Sequence, residues 1–208
     1  MIKRHKWNIV RVIPQWVEWP KKIKHQEKNY ILYLGRIDIY QKGLDILLKA
    51  FKNILKDFPK LRLIIAGSGK DLPKLKRLIK ILNLKDSVKL SGWVSGKAKE
   101  KLIQNCTLFC YPSRYEGFGI SILEAMAFGK PVVSLRNPGL KKLFNKSTGI
   151  FIKDITQKNL VKAIRKLLLK KSLRKKLGDS ARNVVKNYVF DKIKDEQYKF
   201  YRVICTCK

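Results

Sequence analysis

The stretch YILYLGRIDIYQKGLDILLKAFKNILKDFP occupies residues 30–59, and its hydrophobic period changes partway along. YILYLG (30–35) is a short, almost continuous apolar run, the pattern of a strand covered on both faces of a parallel sheet. From Lys42 onward the period lengthens: Leu44, Leu47, Leu48, Phe51 and Leu55 fall on one stripe of a helix, with lysines opposite. Pro59 stops that helix, because it lacks an N–H and its ring collides with the preceding turn. A buried strand followed by a turn and an amphipathic helix is the unit from which parallel sheets are built.

The unit recurs. LRLIIAG (61–67) reads as a second strand, and SGKDLPKLKRLIKILNL (68–84) turns through Gly69 into a helix with Pro73 near its first position. SVKLSGW (87–93) is a third strand, followed by a short helix around Lys97–Asn105. CTLFCYPS (106–113), PVVSL (131–135) and TGIFI (148–152) supply strands four to six. Beyond Thr156 the chain is helical to near its end, with Leu160, Ile164, Leu167 and Leu168 on one stripe and Ala181, Val184 and Val185 on another. Gly178 and Asp179 are expected to separate two helices there. Before Tyr30 the only pattern is NIVRVIP (8–14), an edge-like strand stopped by its proline. The expected class is α/β, a Rossmann-like parallel sheet flanked by helices with a helical C-terminal tail. The expected division is a linker-like segment over 1–29, a Rossmann-like domain over 30–190 and a tail over 191–208. In such sheets ligands bind beyond the carboxyl ends of the strands, where loops meet helix N-termini.

SRYEGFGISILEAMAFGKPVV (113–133) lies at that edge. Gly117 and Gly119 allow a tight turn after the fourth strand and expose consecutive N–H groups where a helix starts, an arrangement suited to phosphate. Glu116 and Glu124 flank the turn; carboxylates there repel phosphate but accept hydrogen bonds from hydroxyls. A ligand with a central diphosphate and sugar hydroxyls at both ends, a nucleotide sugar, matches. The alternative is a capping box, since Ser121-Ile122-Leu123-Glu124 has the S-x-x-E spacing in which Glu124 merely satisfies a backbone N–H.

GRIDIYQKG (35–43) places Arg36 directly after the first strand and Lys42 at the entry to the next helix, where both could face the diphosphate. Each could equally be one more surface cation. GSGKDLP (67–73) lacks the full dinucleotide-binding pattern and reads as a connecting turn or a weak site at Gly67. In SGWV (91–94), Trp93 either borders a base or packs half-buried. The two histidines, His5 and His25, stand in the unpatterned N-terminal stretch, which leaves neither a histidine metal site nor a Ser-His-Asp triad. Cys205-Thr206-Cys207 reads as a frayed end.

These motifs, in this order, resemble the donor-binding domain of retaining glycosyltransferases of family 4, whose complete members pair two Rossmann-like domains in the GT-B arrangement. The resemblance runs from about Ile13 to Tyr188 and is most specific in the E-x7-E element, Glu116 to Glu124. It implies transfer of a sugar, of hexosyl type, from a nucleotide-sugar donor, with retention of configuration and without a metal or other cofactor. Arg36 and Lys42 would hold the diphosphate, and Glu116 the hydroxyls of the transferred sugar. Glu124 would take the ribose, and the backbone around Phe118 and Ile120 the phosphate. Gly67 and Val94 would lie near the nucleotide. VIPQWVE (12–18) resembles the family's linker, so an N-terminal acceptor domain is expected to complete the site. RNPGLKKLFN (136–145) departs from the family, which usually has a glycine-rich turn and a glutamate where Lys141 and Lys142 stand here.

Lys and Arg total 48 against 15 Asp and Glu, a net charge of +33. That field attracts anions: a phosphorylated substrate, an anionic membrane surface or an acidic protein. The basic residues are spread along the chain without a nucleic-acid module or basic-aromatic platform, which disfavours nucleic acid. A non-catalytic subunit docking through its basic surface is the competing reading. Four cysteines without metal or disulfide spacing suggest free thiols in a reducing compartment. No stretch approaches the roughly 18 apolar residues of a membrane span. The expectation is a cytoplasmic protein, at most peripheral on a membrane. At this length a chain buries roughly 70% of its unfolded surface, enough for a core without staples.

Overall fold

In the computed structural model, residues 13–21, 23, 26–136 and 147–206 are described. Six parallel strands form one sheet: β1 (Tyr30–Leu34), β2 (Arg62–Ala66), β3 (Val88–Gly92), β4 (Leu108–Tyr111), β5 (Val132–Leu135) and β6 (Gly149–Ile152). Their spatial order is β3-β2-β1-β4-β5-β6. Every residue of β1 and of β4 is buried, as the apolar runs require for central strands. Ile31 stands opposite Leu63 of β2 on one side and Leu108 of β4 on the other.

Seven helices cover the sheet: α1 (Leu44–Ile54), α2 (Leu72–Ile81), α3 (Gly96–Asn105), α4 (Ile120–Ala127), α5 (Gln157–Leu169), α6 (Lys171–Val185) and α7 (Phe190–Thr206). Helix α1 packs on α5, and α4 packs on α3 and α6. The apolar stripe predicted for α1 is its buried face: Leu44, Leu47, Leu48 and Phe51 are sealed from solvent. Thr156 caps α5, its side-chain oxygen accepting from Asn159 N.

One expectation is corrected. The break in the C-terminal helices falls at Lys170, whose backbone leaves the helical region, and Gly178 lies inside α6. A Cβ on Gly178 would come within 2.0 Å of the Gly129 carbonyl oxygen, so that glycine serves close packing of α6 on the end of α4. Most of the expected N-terminal strand, residues 8–12, lies outside the described residues; among those described before β1, Ile13 and Pro14 have no regular structure and Val17 forms a single bridge to Val189. Val17 N donates to Tyr188 O at 2.9 Å, so the segment before β1 rests on the turn after α6.

His5, His25, Cys207 and most of the 136–145 loop, with Lys141 and Lys142, lie outside the described residues. Cys106, Cys110 and Cys205 are free thiols, the first two buried. Among the described residues no helix is long and apolar enough to cross a membrane.

Candidate active site at the β1–β4 switch point

The order in which strands are added reverses between β1 and β4, β2 and β3 lying to one side and β5 and β6 to the other, and a crevice opens where the loops after β1 and β4 diverge. Both loops end in a helix whose N-cap is a glycine in the left-handed region, Gly43 for α1 (φ 67°) and Gly119 for α4 (φ 74°). Neither cap carries a side chain that could bond the first turn. At α1 the loop itself fills the space, Leu44 N donating to Ile39 O at 2.9 Å, so only α4 presents its first turn, with Ile120 and Ser121, to the cavity described next. Side chains at other positions stitch the loops together. Arg114 N and Ser113 Oγ donate to Gln41 O at 2.8 and 3.1 Å. Arg114 grips Asp45 in the first turn of α1 through two bonds of 2.9 and 3.0 Å. Asp38 accepts from Gln41 N, and Asp71, before α2, accepts from Ile39 N.

A cavity of about 540 Å³ lies at this edge, lined by Arg36, Gly67, Trp93, Val94, Lys99, Ile120, Ser121 and Glu124 among others. Five of the predicted residues, Arg36, Gly67, Val94, Ile120 and Glu124, therefore meet in one place. Arg36 is exposed and its guanidinium hydrogen-bonds the Gln41 side-chain carbonyl. Trp93 is 77% exposed on the cavity wall, which removes the packing alternative for that ring.

Glu124 does not cap α4. The helix starts at Ile120, so Ser121 is its second residue and Glu124 its fifth. The Glu124 carboxylate instead accepts from Lys99 Nζ of α3 at 2.6 Å. That geometry overturns the capping-box alternative and adds Lys99, which the sequence reading did not single out. Nothing short of tertiary packing brings α3 against α4; a lysine in a lysine-rich helix carries no local signal.

Glu116 and Lys42 form a neighbouring pair that does not line the cavity. Lys42 Nζ donates to Glu116 Oε2 at 2.8 Å and sits 5.4 Å from the centre of the Tyr111 ring. Lys42 is only 7% exposed, so it is no ordinary surface cation. Burial first, then the adjoining Glu116 charge and its hydrogen bond, hold the Tyr111 hydroxyl far above the ordinary tyrosine range. Tyr111 thus stays protonated as a fixed donor beside Glu116. Tyr33 stacks on Tyr111 with ring centres 5.3 Å apart, and its hydroxyl donates to Arg36 O at 2.7 Å. These two tyrosines, also missed from sequence, floor the site between Arg36 and Glu116. The Phe118 ring turns to Tyr188, with centres 6.3 Å apart, and Gly117, Phe118 and Gly119, predicted for the site, are not among the residues that line the cavity. Space beside Gly117 is open.

The site therefore combines the open N-terminus of α4, an exposed guanidinium, two carboxylates each already on a lysine, and an exposed indole. It suits an elongated ligand with an anionic middle and hydroxyl-bearing ends. Among the described residues no group of three or more His, Cys, Asp or Glu could hold a metal ion.

The fold is that of the C-terminal domain of GT-B glycosyltransferases. The family model described as Glycosyl transferases group 1 matches residues 16–184, and the chain belongs to that family. It is 31% identical over 192 residues to an uncharacterized glycosyltransferase of Haemophilus influenzae, covering 91% of this chain and 54% of that one. The chain thus spans about half the length of these curated relatives. The sucrose-phosphate synthase of Thermosynechococcus elongatus superposes with a TM-score of 0.83 at 25% identity, over 95% of this chain and 53% of its own. TarM of S. aureus, solved with UDP, alpha-GlcNAc-glycerol and fondaparinux, has the same fold, with a TM-score of 0.82 at 22% identity over 93% of this chain and 40% of its own.

Proposed function

We propose that this chain is the donor-binding part of a retaining, hexosyl-transferring glycosyltransferase of family 4, which takes a nucleoside diphosphate sugar and acts with an acceptor domain outside residues 1–208. One observation carries the reading: the uncapped N-terminus of α4 opens at the switch point, with Arg36 and Glu124 on the wall of one cavity and the Lys42–Glu116 pair beside it. The UDP named with TarM, a fold neighbour, is in keeping with a nucleotide at this edge.

In this reading the donor diphosphate lies over the first turn of α4, where the N–H groups of Ile120 and its neighbours meet it, and Arg36 and Lys42 neutralise its charge. As the bond from sugar to phosphate breaks, negative charge grows on the departing diphosphate; groups already aimed there stabilise the transition state more than the ground state. Lys42 is well placed for this because its pairing with Glu116 fixes it in a low-dielectric setting. Glu116, held by Lys42 and Tyr111, accepts from hydroxyls of the sugar, and Glu124 exchanges part of its bond with Lys99 for the ribose hydroxyls. Trp93 and Val94 border the base. No metal or cofactor takes part. The chain works on the cytoplasmic side of the cell, on a glycan or lipid-linked acceptor.

The test is calorimetric titration of UDP, GDP, ADP and their sugar conjugates at two salt concentrations, with Arg36→Ala and Glu124→Ala beside the parent. A donor site binds one nucleotide selectively, and both substitutions weaken it. Charge alone binds all anions alike and fades with salt; affinity indifferent to base and to both substitutions overturns the reading.

A further inference from the structure

At the opposite edge of the sheet, where the strands begin, a second cavity of about 680 Å³ is lined by Glu27, Lys130, Pro131, Lys171, Arg174 and Lys175 among others. The first turn of α6 opens onto it. The first intrahelical bond runs from Arg174 N to Lys170 O at 3.1 Å, so the N–H groups of Lys171, Ser172 and Leu173 precede the helix's own ladder, and no side chain caps them.

Independently, Lys130 on the cavity wall is 3% exposed, and among the described residues its side chain makes no hydrogen bond and no ion pair. The carboxylate closest to hand is already engaged. Glu27 accepts from Arg174 at 2.8 Å through Nη2, with Nε at 3.5 Å from its other oxygen. Arg174 Nη1 is likewise used, on Leu167 O and Leu168 O at 2.7 and 3.1 Å. The Glu27–Arg174 pair neutralises itself, and Lys130, almost wholly covered, is left without a paired acid among the described residues, with Lys171 and Lys175 exposed at the rim and Asp179 the other described acid on the wall. Burial, with Arg174 adding to it, pushes the Lys130 pKa down against the pull of Cys106 and Glu27. An isolated buried ammonium is unfavourable unless an anion or acceptor meets it.

We propose that this cavity is a second anion site, one that takes inorganic phosphate or a small phosphomonoester, its oxygens accepting from Lys130 Nζ and from the free N–H groups of α6. Occupancy joins the turn before β5 to the start of α6, in addition to the contact that the same turn makes with the middle of α6 where Gly129 touches Gly178. The site shares no residue with the switch-point crevice and does not depend on the donor reading.

The experiment uses the full chain carrying Arg36→Ala and Glu124→Ala, so that donor binding cannot imitate the signal. Inorganic phosphate and glycerol 3-phosphate are titrated by calorimetry and by thermal unfolding against chloride of matched ionic strength. Saturable binding is expected, together with a rise in Tm beyond that of chloride. Lys130→Met, which keeps length and removes charge, weakens binding by about tenfold or more and raises Tm in anion-free buffer. Lys175→Gln, an exposed change that leaves the fold intact, weakens binding to a lesser degree. Tighter glycerol 3-phosphate assigns an organic phosphomonoester and tighter phosphate the free ion, and either supports the site. Anions that act no differently from chloride, or equal affinity in Lys130→Met, overturn it.

Discussion

Lys42 and Glu116 are 2.8 Å apart with side chains only 9% and 13% exposed, so each is the other's principal counter-charge. Removing one leaves a desolvated charge behind. Lys42→Ala is therefore expected to lower unfolding stability by about 2–3 kcal/mol, read as a fall in the urea midpoint with an unchanged slope. Glu124 behaves differently. Its partner Lys99 is 31% exposed and can turn to water, so Glu124→Gln changes stability by less than about 1 kcal/mol. The same substitution lowers nucleotide-sugar affinity by about tenfold under the donor reading, because an amide offers one acceptor where the carboxylate offered two. A large stability loss together with unchanged binding would place Glu124 in the fold instead of the site.

Among the elements, α4 and α6 show how glycines of similar appearance have unlike duties. Gly117 precedes the α4 turn with open space around it, and Gly117→Ala is expected to shift stability by no more than about 0.5 kcal/mol. Gly178 faces the Gly129 carbonyl, and the methyl of Gly178→Ala must push α6 away from α4; a loss of about 2–3 kcal/mol is expected in the same urea experiment. Equal effects for the two would mean that the α4–α6 contact is looser than the backbone spacing indicates. Local sequence invites the opposite ranking, since Gly-Asp inside a helical pattern reads as a break. The break came about two helical turns earlier, at Lys170, where no glycine or proline marks it.

For the whole molecule, alkaline pH is the revealing variable. Burial raises the Cys106 thiol from 9.0 to about 12 and lifts Cys110, Tyr30, Tyr33 and Tyr111 as well. These groups keep their protons in the folded state at pH values where the unfolded chain loses them. Their contribution is complete below pH 9 and declines as pH rises from there through the raised folded values. Lys130 runs the other way, since its burial penalty eases as it loses its proton, but it is one group against five. Urea unfolding at ~pH 8 and ~pH 10.5 should show lower stability at the higher pH, although the net charge of +33 and its self-repulsion are smaller there. Stability that rises with pH would mean that self-repulsion outweighs the buried thiols and phenols.

The order of strands and helices, and the edge at which the cavity with Arg36 and Glu124 opens, were legible in the chain itself. Apolar runs such as YILYLG and stripes such as Leu44, Leu47, Leu48 and Phe51 are local periodicities, and parallel connections admit few arrangements. The Glu116–Glu124 turn was legible for the same reason: its glycines and carboxylates lie within nine consecutive residues. Partnership was not. Whether Glu124 caps its own helix or meets Lys99, whether Lys42 faces solvent or Glu116, and whether Trp93 packs or stands on a cavity wall each depend on segments far apart in sequence. So does the stranded Lys130 opposite the start of α6. Periodicity records which face of an element is buried, but the distance between two side chains on different elements is set by packing, and only the tertiary structure decides it.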